Sequence, residues 1–562
     1  MRRALLLLWP VFLASCQNDD AYLGSRRVPY VCGGRCERDR GVPEDVGDWF
    51  SNPETDQGDA PEIVYPLEGS VHPKDLSRLT VQFRHGRDDF EAYRIRFESP
   101  ELGLAYDFFA PCLAIAKDGC RYLLEGNVWD NARADLTGKP VVLRVSGATS
   151  ASGVIKTSAP VALQIVESSL GNKGFYYWTL LPQYPATSAP AAGIFRLPFG
   201  ADRAQPYIMP NTGTNDKQCG ACHSVSRDGS TIAFTARDYD EGPTGPTDQR
   251  SGTLEVKLTE RPDTQVVPPA PRGTYDSSMM ALTSDGKRVL VSYDEQLVLR
   301  STGPDPSGEH EPGDVLATLT RADLGGKGGY FPEFSANNDA VVLTLSDEPD
   351  SAIAVRAGDI AVIDFDADTS TFGKPRVIVP GTDDTFHFYP TWAPTGEYVA
   401  FASAPRGIAE DGNLRKSYDQ KEARLRLVSR DGRRTYELEN ATHKASSWST
   451  YPKFAPFSAG EDNALMFLTF NSKVSYGFML DNEERDDGDR LAQLWMSAVD
   501  VTKLPADPSS APVWLPFQDV SQTAHLGIWT NDVKCRTDLG VPSCDLGQRC
   551  EPQTNTCIVD PR

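Results

Sequence analysis

The sequence predicts an all-β chain: a β-propeller preceded by a β-sandwich and followed by a short cysteine-rich tail. Three observations carry this expectation. A four-residue turn signature followed by an alternating strand recurs at intervals of 52 to 58 residues. Short period-two runs fill about a hundred residues ahead of the repeats, and four of the 11 cysteines crowd the last 28 residues. With 562 residues and 40% hydrophobic content, the chain is too long for one core and apolar enough to bury several. Its formal charge of −22 opposes the counterion release that drives nucleic-acid binding and repels anionic membrane surfaces, so nucleic acid is excluded as a partner.

Residues 1–16 carry Arg2 and Arg3, an apolar run over 4–12, and then Leu13-Ala14-Ser15-Cys16. This is the layout of a signal peptide, and its end resembles the bacterial lipobox, in which the cysteine is lipidated after cleavage. The alternative is an ordinary signal peptide cut near Cys16. Both export the mature chain. No later stretch has the apolar length of a membrane helix, so lipid on Cys16 is the expected anchor. Gln17, where an inner-membrane lipoprotein usually has Asp, points to the outer membrane of a bacterial envelope.

Residues 17–60, acidic and rich in Gly, Pro and Asp, read as a flexible tether with one small loop between Cys32 and Cys36. Over 61–166 come the alternating runs LTVQF (79–83), YRIRF (93–97), VVLRV (141–145) and VALQI (161–165). Their rhythm and the size of the segment predict an immunoglobulin-like sandwich.

The span 167–533 holds the repeat. The quartets SRDG (226–229), TSDG (283–286), SANN (335–338) and APTG (393–396) are each followed by apolar residues at the third and fifth positions beyond: Ile232 and Phe234, Val289 and Val291, Val341 and Leu343, Val399 and Phe401. A turn leading into an alternating strand is a hairpin, and further strands such as DIAVI (359–363) and RLRLV (424–428) supply four per unit, which is a propeller blade. A fifth copy begins at YPKFAP (451–456). The stretch from His525 to Trp529, joined to FYYW (175–178), completes a sixth blade and closes the ring; seven blades is the alternative. The phrases YPTWAPTGEYVAFAS (389–403) and VSRDGSTIAFTA (225–236) resemble the blade motif of TolB-like propellers, over roughly residues 170–533.

Once Cys16 is assigned to lipid, ten cysteines remain in an oxidising compartment. Spacing pairs Cys32 with Cys36, and Cys112 with Cys120 across an Asp118-Gly119 turn. In the tail, 534–562, disulfides among Cys535, Cys544, Cys550 and Cys557 have three connectivities open to them. That leaves Cys219-Gly-Ala-Cys222-His223, the attachment pattern of one covalent haem c: two thiols add to the porphyrin vinyl groups and the adjacent imidazole reaches the iron. A CxxC disulfide beside an incidental histidine, or half of a metal site, are the alternatives.

The repeat gives the motif an address. Cys222 aligns with Met279, Phe331, Tyr389 and Tyr451, and His223 with Met280, Pro332, Pro390 and Pro452. In TolB-like blades this position begins the strand nearest the axis, so the resemblance implies a haem at one mouth of the central channel. Candidates for the sixth ligand are Met279 and Met280, with Tyr389, Tyr451, His387, His443 and His525 as further groups. Asp364, Asp366 and Asp368 imitate the start of a calcium loop, but Thr369 stands where Gly belongs, so a solvated turn is expected. The acidic run 481–489 reads as an exposed loop. No nucleophile elbow, phosphate loop or HExxH motif occurs.

A propeller with CxxCH at the entry to a blade also resembles the middle domain of the hydrazine synthase alpha subunit, which carries a c-type haem. The resemblance implies thioether bonds at Cys219 and Cys222 and proximal ligation by His223. It differs from small cytochromes c, where the motif lies in a helix; here Ser224 leads into a strand. Three functions follow as expectations: one-electron transfer with a redox partner protein, a haem enzyme or sensor acting on a small molecule at an open iron, or a non-haem scaffold that binds other proteins.

Overall fold

The computed structural model describes residues 27–29, 34–51, 58–76, 78–150, 154–167, 173–181, 191–197, 203–209, 219–237, 253–258, 279–302, 313–351, 353–409, 412–442, 448–532, 548–551 and 556–559. They fall into two compact units. One is drawn from Met1–Tyr65, Arg78–Leu136 and Val141–Val161, the other from Pro66–Ser77, Thr137–Pro140 and Ala162–Arg562. Cys16, Cys32, His443, Cys535 and Cys544 lie outside the described residues. No helix among the described residues is long and apolar enough to cross a membrane.

The first unit is a two-sheet sandwich. One sheet runs Arg27–Pro29, Cys36–Asp39, Leu104–Ala110, Ala92–Ser99, Pro140–Ala148, with Ile155–Thr157 on the last. The other runs Glu62–Tyr65, Leu79–Arg84, Gly119–Leu124, Leu113–Ala114. Their facing aromatics meet: Phe83 lies 5.0 Å from Tyr93, and Tyr122 lies 6.0 Å from Phe108. Cys112 is bonded to Cys120 with Cα atoms 5.1 Å apart.

The boundary differs from the expected one. Cys36–Asp39, read as part of a tether, pairs in parallel with Leu104–Ala110. Val42, Val46 and Phe50 then bury against Ala92 and Phe109. The reason is a spacing of four, which puts the three apolar residues on one face despite the acidic composition around them. Cys36 is disulfide-bonded.

The second unit is a succession of antiparallel sheets. A seven-stranded sheet runs Thr253–Leu258, Thr231–Arg237, Cys219–Val225, Ala191–Leu197, Lys173–Leu181, Ala524–Asp532, with Gln205–Ile208 on Ala191–Leu197. The next sheets begin at Met280–Leu282, Gly328–Phe334, Thr385–Trp392 and Thr450–Ala459, and each proceeds outward strand by strand in chain order. The strand Ala524–Asp532 returns to pair with Lys173–Leu181, with Phe175 opposite Trp529 and Trp178 opposite His525. Consecutive up-and-down sheets whose first strands share one cavity are the organisation of a β-propeller.

The turn quartets explain their own composition. Their fourth residues, Gly229, Gly286, Asn338 and Gly396, have φ of 70°, 68°, 55° and 74°. Only Gly, or Asn at some cost, adopts this left-handed conformation readily. The first residue closes the turn: Ser226 Oγ donates to Asp228 at 2.7 Å and accepts from Thr231 N at 3.0 Å, and Thr283 and Ser335 repeat the pattern. The apolar pairs that follow, from Ile232 and Phe234 to Val399 and Phe401, are all buried. In the tail, Cys550 stands opposite Cys557 in a two-stranded hairpin.

Candidate functional site

Four first strands, those of Cys219–Val225, Gly328–Phe334, Thr385–Trp392 and Thr450–Ala459, share a backbone irregularity at the position that the repeat aligns, which the strand Met280–Leu282 lacks. Cys222, Phe331, Tyr389 and Tyr451 have φ of 26°, 54°, 53° and 50°, and Leu526 of the returning strand joins them at 52°. Pairing slips at the same places, between Ala221 and His223, Tyr330 and Glu333, Phe388 and Thr391, and Thr450 and Lys453. A bulge breaks the two-residue alternation of a strand, so consecutive side chains turn to one face. His223 with Ser224, Phe331 with Pro332, and Tyr389 with Pro390 therefore line one cavity, together with Met279, Met280, Tyr451, Lys453, Leu526 and Ile528. The proline nitrogens at 332 and 390 suit a bulge, where a backbone N–H lacks its ladder partner.

The cavity brings together His223, Met279, Met280, Tyr389 and Tyr451. Burial raises the pKa of Tyr389, Tyr418 and Tyr451, and Cys222, half-buried nearby, adds a minor contribution to each. Cys219 lies at the start of the same strand, where only its backbone is described. Ser224, Lys453, Leu526 and Ile528 were not anticipated from sequence. Leu526 has no turn quartet to align it, and Lys453 follows the aligned pair Tyr451-Pro452 by one position.

His223 is 3% exposed, and neither ring nitrogen has a hydrogen-bond partner among the described residues. Burial lowers its pKa to about 3, with the Tyr176 backbone opposing the shift and the Lys453 charge adding to it. The ring is therefore a neutral imidazole at pH 7, the form that ligates metals. Lys453 is itself held by Glu333, which also accepts from Thr391 Oγ1 and Trp392 N, each at 2.8 Å.

Tyr389 and Tyr451 stack with centroids 4.0 Å apart and planes 19° from parallel. The Tyr451 hydroxyl donates to Tyr389 at 3.0 Å, and Tyr389 donates to the Ile353 carbonyl at 2.8 Å. Burial pushes both phenols above their usual range. They are neutral donors, not phenolates.

His387 and His525 do not line the cavity. His387 is buried against Ser403, with Nδ1 2.6 Å from its Oγ, and burial lowers its pKa to about 4. His525 sits behind Tyr451, 6.1 Å between ring centroids, and contacts the Asn471 amide. Asp366 accepts from the backbone of Asp368 and Thr369 at 2.9 and 3.1 Å, as a solvated turn does. Among the described residues, no cluster of three or more His, Cys, Asp and Glu is placed to hold a metal ion.

In its donors the site fits a haem: a neutral imidazole with two unpartnered nitrogens directly follows the thiol pair, in an apolar aromatic ring. The cavity, about 30 Å³, has room for a water molecule or two and not for a porphyrin. A cleft of about 1010 Å³ opens at Tyr418, which packs on the same cluster as Tyr389 and Tyr451.

Fold and site together define a β-propeller with a histidine-bearing axial cavity. No protein-family model matches the chain, and no curated protein matches it. Among solved structures, a 6-phosphogluconolactonase-like protein of Bacteroides uniformis is 13% identical over 68% of this chain and 95% of its own, with a TM-score of 0.33. The Pseudomonas aeruginosa periplasmic gluconolactonase is 11% identical over 68% and 94%, with a TM-score of 0.30. An oligogalacturonate lyase in complex with manganese is 14% identical over 50% and 62%, with a TM-score of 0.28. These likenesses are too distant to carry a function across.

Proposed function

We propose that the chain is an envelope-anchored c-type haem protein that transfers single electrons, with Cys219 and Cys222 as the thioether residues and His223 as the iron ligand. The observation that carries this reading is His223 itself: the other copies of the repeat place Pro332, Pro390, Pro452 or Met280 at its position, and here a histidine is buried with neither nitrogen partnered among the described residues. A bound haem c would supply the Fe(III)/Fe(II) couple. The chain's own part is to present the neutral imidazole, exclude water with the ring of Met279, Met280, Phe331, Tyr389 and Tyr451, and offer phenol hydrogen bonds from a fixed pair.

In this reading the seven-stranded sheet is two blades whose strands pair at a single place, Ala192 with Cys219. The ring is a six-bladed TolB-like propeller latched by Ala524–Asp532, and the sandwich is immunoglobulin-like. Lipid on Cys16 tethers the chain, with the outer membrane favoured by Gln17. An open sixth position would make the protein a haem enzyme or sensor. A second reading, a propeller scaffold without haem, is favoured by the 30 Å³ volume of the cavity.

The deciding experiment is a pyridine haemochrome spectrum of the chain expressed with cytochrome c maturation machinery. A thioether-type band at one haem per chain, lost in Cys222→Ser, is the expected result. No covalent haem leaves the scaffold. Carbon monoxide then separates a closed, low-spin iron from an open one.

A further inference from the structure

We infer that the cavity at His223, in the chain that carries no haem, binds one cuprous ion through the His223 imidazole and the thioethers of Met279 and Met280. This ligand is independent of the haem reading, for it needs only the imidazole, the two sulfurs and the small volume that they line.

Position comes first. His223, Met279 and Met280 line one cavity of about 30 Å³, which suits a single ion. They stand on neighbouring strands: Leu282 N, two residues beyond Met280, donates to Ser224 Oγ, one residue beyond His223, at 3.2 Å. Met280 is 7% exposed, and Met279 packs on the cluster that holds Phe331, Tyr389 and Tyr451, so both thioethers sit in an apolar setting.

The imidazole is in the state that a metal takes. It is buried and neutral, and neither nitrogen has a hydrogen-bond partner among the described residues. Neutral imidazole carries one lone pair and one N–H. The Tyr176 backbone favours a proton on the ring, as the backbone carbonyl behind a metal-bound histidine does. The other nitrogen then has its lone pair for the ion.

The ligand set and the charge choose the metal. Two thioethers with an imidazole are soft and borderline ligands, which select Cu(I). Calcium and magnesium need oxygen ligands, and zinc sites are built from thiolate, imidazole and carboxylate. Among the described residues the lining includes no Asp or Glu. Lys453, its one charged residue, is paired with Glu333, which Arg227 also approaches at 4.0 Å. Two cations on one carboxylate leave a positive surplus, and it repels a divalent ion twice as strongly as a monovalent one at the same distance. Neutral ligands do nothing to offset that repulsion, so the site admits the monovalent ion.

The test uses the full chain with Cys219→Ser and Cys222→Ser, expressed without haem maturation, so that neither haem nor the thiol pair competes for the site. Cu(I), kept reduced by ascorbate under argon, is titrated against the coloured chelator bicinchoninate, and copper X-ray absorption reads the ligands. One Cu(I) per chain with nitrogen and sulfur neighbours is the expected result, with Zn(II) bound far more weakly. Met279→Leu with Met280→Leu keeps the volume and the apolar character. It should weaken Cu(I) by more than the roughly hundredfold that loss of an outer partner costs a metal site, at unchanged melting temperature. No uptake, an affinity untouched by the leucine pair, or Zn(II) held as tightly as Cu(I) overturns the inference. Sulfur scattering in the parent chain needs no variant, and its absence overturns the inference whatever the leucine pair does to folding. The haemochrome of the chain with its cysteines intact reads the other question separately. Covalent haem without Cu(I) uptake sinks the copper site alone, while Cu(I) uptake without covalent haem sinks the haem reading and leaves the metal site.

Discussion

Replacing His223 by Met, the residue its own repeat carries at Met280, should stabilise the haem-free chain, and more so in acid. Two buried ring nitrogens have no hydrogen-bond partner among the described residues, and an unmet polar group in an apolar setting costs about 1–3 kcal/mol. The opposing influence of the Tyr176 backbone puts the gain at the low end, about 1 kcal/mol at pH 7. The pH term has a definite sign. The folded chain keeps His223 neutral down to about pH 3, whereas the unfolded chain takes up a proton near 6.5, so below 6.5 unfolding binds a proton and stability falls. At pH 5 the gap is one and a half units at about 1.36 kcal/mol each, about 2 kcal/mol. His223→Met escapes that loss, so its advantage should grow from about 1 to about 3 kcal/mol between pH 7 and pH 5. His72, His387 and His525, whose pKa values burial also lowers, titrate equally in both proteins and cancel in the comparison. Urea unfolding of both chains, made without haem maturation, measures it. A variant no more stable at pH 7, or an advantage that does not widen by pH 5, would refute the assignment of a buried, unpartnered, neutral imidazole.

The tyrosine pair should respond asymmetrically: Tyr451→Phe removes one donor and costs about 0.5–1.5 kcal/mol, while Tyr389→Phe leaves both the Tyr451 hydroxyl and the Ile353 carbonyl unmet and costs about 2–4 kcal/mol by denaturant titration. At the turn of φ 74°, Gly396→Asn should be within a few tenths of a kcal/mol of the parent and Gly396→Ala about 1 kcal/mol worse, because Asn338 already occupies the equivalent place; melting curves decide it. Trp529, 3% exposed and 4.4 Å from Phe175 across the latch, donates its indole N–H to Thr469 at 2.8 Å. Trp529→Ala should cost about 3–5 kcal/mol, and protease cutting near Lys173–Leu181 should rise with it; an unchanged cleavage rate would mean that the latch does not hold the ring.

Much of the second unit was legible because its repeats carry a local constraint. A tight turn at positive φ favours Gly or Asn, so Gly229, Gly286, Asn338 and Gly396 mark four turns; counting back from them aligned Cys222 with Met279, Phe331 and Tyr389, and the fifth copy added Tyr451. That Cys222, Phe331, Tyr389 and Tyr451 all stand at positive φ is the physical content of the alignment, with Met279 outside it. Where the constraint is missing, the reading thinned. Leu526 has the same φ but no quartet after it, so it entered only as part of a stretch. Val42, Val46 and Phe50 were hidden by the acidic residues among them, since composition averages away a spacing of four. The volume of the cavity depends on how closely sheets pack around an axis, and no single residue encodes it.

Backbone strain at the axis does not distinguish the CxxCH strand. A non-glycine residue at positive φ costs on the order of 1–3 kcal/mol, and at functional sites such a cost is usually taken as a signal. Here Phe331, Tyr389, Tyr451 and Leu526 bear it too, so the strain at Cys222 is shared with other bulged strands of the ring and is not particular to the CxxCH motif. What sets the strand apart is which residue comes next. Proline at 332 and 390 turns the bulge to advantage by lacking the N–H that would go unpaired, and it brings no polar atom to the cavity. His223 takes the same place and introduces two, at a position only 3% exposed. A packing role would be served better by proline or methionine, as the neighbouring strands demonstrate, and that difference within a single chain is the argument for a ligand on His223.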